Sequence, residues 1–136
     1  MPSPFRHPYI IGLHDTDAAG VIYSANIIRI CIIGYEALLA EIGYGVPVLF
    51  RRRTMGLPIV HIEADFQKPL TAGEPVTLLI RVESFGRTSF RMAYEVINNH
   101  DERCATAATV HVCTDPKSGS SMELPPEFRQ ALAQYA

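Results

Sequence analysis

The chain has 136 residues, enough for one domain and too few for two. Its 48% of apolar residues can fill a core. The formal net charge of −2 excludes a broadly basic nucleic-acid binder and gives no reason to expect attraction to an anionic membrane. The three cysteines, Cys31, Cys104 and Cys113, form neither a disulfide framework nor a zinc-ligand spacing. They read as small core side chains in a reducing compartment. No secretory leader and no stretch of spanning length is evident, so the expected setting is the cytoplasm.

Residues 8–13 read as a first strand. They lead into His14-Asp15-Thr16-Asp17-Ala18-Ala19-Gly20, a turn or loop by its Asp and Gly content. Ser24 and Asn26 are good cap residues ahead of residues 27–42, which read as one long helix closed by Gly43 and Gly45. That helix is apolar almost all round and asks for burial on most sides. Residues 46–56 read as a connector carrying Arg51-Arg52-Arg53. Residues 57–66 alternate, with Val60, Ile62, Ala64 and Phe66 on one face, as in a half-buried strand. Residues 76–84, 88–98 and 105–114 read as three further strands joined by short polar turns, which predicts an antiparallel meander. Residues 127–135 predict a terminal helical turn or two. The whole is one α+β domain, residues 1–136, with a long helix against one antiparallel sheet. One sheet cannot enclose a helix on every side, so self-association is expected.

Asp17 lies in a glycine-containing loop just ahead of a helix start. Free N–H groups there can polarise a carbonyl beside a carboxylate, the pairing that acyl transfer to water needs. The same spacing also suits ordinary Asx turns and helix capping. Arg87, Thr88 and Ser89 follow a tight turn and suit either a phosphate grip or a polar hairpin corner. Arg51-Arg52-Arg53 suits an anion or a solvated loop. His61 and His111 sit in alternating strands without metal-ligand spacing, so no metal site is predicted. There is no GxSxG, P-loop or dinucleotide glycine pattern.

The run Asp15-Thr16-Asp17-Ala18-Ala19-Gly20-Val21-Ile22-Tyr23-Ser24-Ala25-Asn26 before a long helix resembles the signature of the 4-hydroxybenzoyl-CoA thioesterase group of hotdog-fold enzymes. Leu57-Pro58-Ile59-Val60-His61, Asp65-Phe66 and Pro69 resemble that family's second strand and turn. Gly86-Arg87-Thr88-Ser89-Phe90 is similar to its fourth-strand entry. The resemblance implies the hotdog fold, a central helix wrapped by a five- or six-stranded antiparallel sheet, in homodimers and often homotetramers. It implies an acyl-CoA thioester hydrolase without a cofactor beyond the CoA of its substrate. Asp17 would be nucleophile or general base, and the Ser24 backbone N–H the oxyanion donor. Gly20, Val21, Tyr23 and His61 would border the substrate, with Arg87, Thr88 and Ser89 near the CoA phosphates. Ser24 and Ile27 stand where the family often carries aromatic residues, which implies a differently shaped acyl pocket.

Leu57–His61, His111-Val112-Cys113 and Leu124-Pro125 look like the 1,4-dihydroxy-2-naphthoyl-CoA branch. Short-chain acyl-CoA and acyl-carrier-protein thioesterases share most of these positions. A hydratase using His61 and a non-catalytic acyl-CoA-binding module remain alternatives at this level.

Overall fold

The computed structural model describes residues 3–136. Five strands, β1 (Phe5–Ile10), β2 (Ile59–Phe66), β3 (Pro75–Phe85), β4 (Ser89–Asn98) and β5 (Arg103–Val112), form one antiparallel sheet in the order β1-β3-β4-β5-β2. The β3-β4-β5 meander is its centre, and β1 and β2 are its edges. Helix α1 (Asn26–Glu41) packs on one face, a short α2 (Val46–Arg52) follows it, and α3 (Pro126–Ala133) closes the chain.

Alternation builds the meander: Val76, Leu78, Ile80 and Val82 of β3 face Phe90, Met92, Tyr94 and Val96 of β4 in one buried layer. Ile27, Ile30, Cys31 and Leu38 of α1 are fully buried against that layer. Gly34 permits the approach, since a Cβ there would stand 2.6 Å from Ile80 Cδ1 and 2.8 Å from Leu78 Cδ1. Arg29, Glu36 and Ala40 face outward, and Ile28, Ile32 and Ile33 are only half-buried. The helix is therefore less enclosed than its all-round apolar character predicts.

The elements depart from expectation in four places. The first strand is β1, earlier in the chain than residues 8–13, because Phe5 through Ile10 pair with Ile80 through Pro75. Pro8 is tolerated there, as its missing N–H costs nothing on an edge. The expected connector contains α2, with Gly45 as its N-cap and proline at its first turn. Asn26 does not cap α1: the N-cap is Ala25, with no side-chain cap bond. Finally, β2 is not half-buried. Val60, Ile62 and Phe66 are 60%, 48% and 45% exposed, and β2 is an edge strand that pairs with β5 alone among the described residues. No helix among the described residues is long and apolar enough to cross a membrane.

Candidate active site

Residues 11–25 run from β1 to α1 across the end of the sheet where β3 begins. Ile11 N–H donates to the Glu74 carbonyl and Gly73 N–H to the Ile11 carbonyl, at 2.9 and 2.7 Å. Asp15 then anchors the loop. Its carboxylate is fully buried and accepts from the Tyr9 hydroxyl at 2.7 Å, from Gly12 N–H at 2.9 Å and from the Arg29 guanidinium of α1. Its carbonyl accepts from Tyr23 N–H at 2.9 Å and from Asn26 Nδ2 at 3.0 Å. Burial pushes the carboxyl pKa up. The Gly12 N–H, the Tyr9 hydroxyl and Arg29 together outweigh that and hold it below the ordinary range. Asp15 thus ties β1, the loop and the first turn of α1 together.

Two residues on, Asp17 is exposed. Its backbone N–H donates to Val21 and its carbonyl accepts from Gly20 N–H, a tight turn that needs the positive φ of Gly20, +80°. Ala19 N–H donates to Asp17 Oδ1 at 2.8 Å, and Oδ2 has no partner among the described residues. Ile22 N–H donates to the Leu70 carbonyl at 2.7 Å, and the turn at Ser24 and Ala25 leads into α1 at Asn26. The N–H groups of Ser24 and Ala25 donate to no acceptor among the described residues, as expected where no side chain caps the helix. Val21 and Ser24 line a cleft of about 290 Å³ with Phe66, Gln67 and Lys68. The loop carrying Asp17 is one wall of that cleft, and Tyr23 is exposed at 54%.

The other predicted residues lie elsewhere in the same chain. His61 stands 3.7 Å from Glu63, on the outer face of the sheet where Glu63 and Glu83 both pair with Arg91. Arg87, Thr88 and Ser89 sit at the opposite end of β3, roughly 30 Å along the strand. Arg87 pairs with Glu123 at 3.1 Å, both exposed, and Cys113 N–H donates to the Thr88 carbonyl at 2.7 Å.

That opposite end holds His111, which the sequence placed only in an alternating strand, among Tyr35, Thr109 and Tyr94, which sequence reasoning did not single out. His111 is fully buried, with Nε2 2.8 Å from Thr109 Oγ1, itself 2.8 Å from the Tyr94 hydroxyl. Its ring stacks on Tyr35, centroids 4.3 Å apart, and on Phe90 at 5.1 Å. Tyr35 Oη is buried without a hydrogen bond. His111 Nδ1 has the Leu57 carbonyl nearby but makes no bond of normal geometry to it. Burial pushes the His111 pKa down to about 4, the Leu57 carbonyl drawing it back only in part. Beside this pair is a second cleft, of about 170 Å³, between α1, α2 and the start of β2. Alternation marks His111 as a sheet residue. The ring stack and the cleft are tertiary and leave no local signal. No cluster of three or more His, Cys, Asp or Glu side chains able to hold a metal gathers among the described residues.

Residues 11–132 match the thioesterase-like superfamily. The chain is 34% identical over 133 residues to a 1,4-dihydroxy-2-naphthoyl-CoA hydrolase of Trichodesmium erythraeum, covering 96% of each. It is 36% identical over 129 residues to the protein of that name from Synechococcus elongatus, covering 94% of each. The crystal structure of a 1,4-dihydroxy-2-naphthoyl-CoA thioesterase from Synechocystis superposes with a TM-score of 0.88 at 26% identity, covering 94% of each chain.

Proposed function

The chain belongs to the thioesterase-like superfamily, with the hotdog fold of its relatives, and from that membership we propose that it hydrolyses an aromatic acyl-CoA thioester to the free acid and CoA. The acyl group is of the 1,4-dihydroxy-2-naphthoyl or 4-hydroxybenzoyl kind. The observation that carries the reading is the pairing, within one loop, of a half-open carboxylate at Asp17 with two unengaged N–H groups at the start of α1.

The thioester carbonyl oxygen accepts from the Ser24 N–H, where the partial positive charge of the helix terminus favours a developing oxyanion. Asp17, held by Ala19 N–H through Oδ1, uses Oδ2 either to attack the carbonyl carbon or to take a proton from the attacking water. Where Asp17 is the base, the proton it takes from water passes to the CoA sulfur as the C–S bond breaks. Where it attacks, the C–S bond breaks to leave an acyl–aspartyl anhydride. Water hydrolyses that anhydride to the free acid and the Asp17 carboxylate, the second water proton going to the CoA thiolate. Gly20 shapes the turn, and Val21 and Tyr23 flank the substrate. This chemistry calls for no metal and no redox cofactor; CoA enters as part of the substrate.

The assembly is a homodimer through β2. A free strand edge with Val60, Ile62 and Phe66 exposed is self-complementary under a two-fold axis, which joins two five-stranded sheets into one of ten. Antiparallel pairing sets the Ile59 end of one β2 beside the Phe66 end of the other. The partner's His61, Arg87, Thr88 and Ser89 thereby approach the Asp17 loop, with Arg87 offered to CoA phosphate. A homotetramer of two such dimers, in the cytoplasm, completes the reading.

Thiol release from a panel of aromatic, short-chain and long-chain acyl-CoA esters tests it. Native protein should turn over hydroxylated aromatic thioesters. Asp17→Asn should lose about a thousandfold or more in kcat while its circular dichroism and Tm stay native, since Asp17 is exposed. Equal turnover by both proteins removes Asp17 from the chemistry. A well-folded native protein silent on the whole panel rejects CoA thioester hydrolysis altogether.

A further inference from the structure

The turn from β3 to β4 carries Arg87, and it is held from outside its own hairpin. Gly86 N–H closes the turn on the Ser89 carbonyl at 2.8 Å. Three successive carbonyls of the turn are then taken by residues beyond β5. The Thr88 carbonyl accepts from Cys113 N–H at 2.7 Å and the Arg87 carbonyl from Leu124 N–H at 3.1 Å. The Gly86 carbonyl accepts from Arg129 Nη1 of α3 at 2.9 Å. The Arg129 guanidinium also lies over the Phe85 ring, 4.8 Å from its centroid. The first two tethers are main chain to main chain, and the third rests on a side chain.

Helix α3 does not need this arginine to stay in place. Phe128 and Leu132 are fully buried, and the Phe128 ring meets Tyr44 at 4.8 Å and Phe90 at 5.8 Å. The Tyr135 carbonyl accepts from Val82 N–H at 2.9 Å. Arg129 itself is exposed and could point into water. Instead it gives a donor to the carbonyl just before Arg87 and lays its flat face on the ring before that. Connections between strands are otherwise the mobile part of a hairpin, and a mobile turn would spread the Arg87 guanidinium over many positions.

We propose that Arg129 is a positioning residue for CoA binding: by fixing Phe85 and Gly86 from α3, it presents Arg87 to a phosphate of CoA. The inference rests on the reading of Arg87 as the phosphate contact. Arg87 pairs with Glu123 at 3.1 Å, but both side chains are exposed and their attraction in water is weak. A phosphate offers the guanidinium a stronger, two-pronged partner. With the turn already fixed, the ligand is spared the entropy of ordering it.

The test measures kcat and KM for the 4-hydroxybenzoyl group carried either by CoA or by pantetheine, which has no phosphate. Arg87→Ala should raise KM for the CoA ester by about tenfold. Arg129→Ala should raise it by about threefold to tenfold, with kcat, Tm and both constants for the pantetheine ester native. Added to Arg87→Ala, it should raise KM no further, because it acts through the residue already removed. Arg129→Lys keeps a donor and a cation for the ring and should recover most of the native KM. A native KM in Arg129→Ala overturns the proposal. So does an equal change on the pantetheine ester, the mark of a structural role, and so does a further rise in the double variant, the mark of an independent phosphate contact. A native KM in Arg87→Ala defeats the phosphate reading of Arg87, and the proposal with it. If no thioester turns over, the thioesterase reading fails, and calorimetric titration with CoA gives the same comparison of the variants.

Discussion

Where β3 begins, every polar group of Asp15 is satisfied within one chain. Where β3 ends, a tyrosine hydroxyl and a histidine nitrogen are buried with no such satisfaction. Both ends rest on the same meander, so the sheet itself does not make the difference. At the first end a carboxylate is saturated so that its neighbour two residues on can be left open. At the second, apolar walls and a stacked ring pair frame a slot. A fold that finishes one end internally and leaves the other open has divided its labour. Mounting a reactive group calls for rigidity, and admitting a ligand calls for unfilled contacts.

The largest disruption of this contrast comes from separating the two ends. Ile62→Lys puts a charge on the exposed edge of β2, where a two-fold axis would set like charges close together. Sedimentation should show a monomer, and activity should fall by at least about a hundredfold, because on the proposed β2 pairing each Asp17 loop loses the partner's Arg87. A variant that stays dimeric and active would mean that the ends do not meet across β2.

Next is the mount. Asp15→Ala strands the Tyr9 hydroxyl, Gly12 N–H and Arg29, and should cost about 3 kcal/mol in urea unfolding. The native carboxyl is held below its ordinary pKa. The stability it contributes is therefore complete above the ordinary carboxylate value and is lost as pH falls below about 4. The variant should lack that acid limb, and an unaltered limb would assign it to other carboxylates.

The smallest effect sharpens the other end. His111 is neutral when folded, with a pKa near 4. Between about 6.5 and about 4 the unfolded chain binds a proton that the folded chain refuses, so stability declines as pH is lowered through that window. Urea unfolding at pH 7 and pH 4.5 should differ by about 2 kcal/mol more in native protein than in His111→Gln. Equal differences would mean that His111 is free to protonate in the fold.

Much of this architecture is legible in the chain itself. Period-two alternation locates the meander, and the Asp-Gly turn followed by an apolar run locates the loop and α1 within a residue or two. The role of β2 is not legible. Val60, Ile62, Ala64 and Phe66 alternate identically whether their face meets the chain's own core or a second copy, and periodicity does not name the partner. Helix α2 is hidden because Gly45, Pro47 and three arginines look like punctuation, although Val46, Val48, Leu49 and Phe50 make an apolar turn. At the site, the motif draws attention to Asp17 and leaves Asp15 looking like an ordinary turn residue. Its partner Arg29 lies fourteen residues on, in another element, and only folding joins them. The Tyr35–His111 stack is equally silent, since one ring comes from α1 and the other from β5.

The three cysteines, buried and unpaired, bear on the redox life of a protein whose proposed reaction releases a thiol at each turnover. Free CoA and its disulfides would then be constant neighbours, and exchange with them requires a protein thiolate. Burial pushes the Cys31 thiol up to about 12 and raises Cys104 and Cys113 as well. All three remain protonated and shielded, so the fold resists becoming covalently capped by its own product.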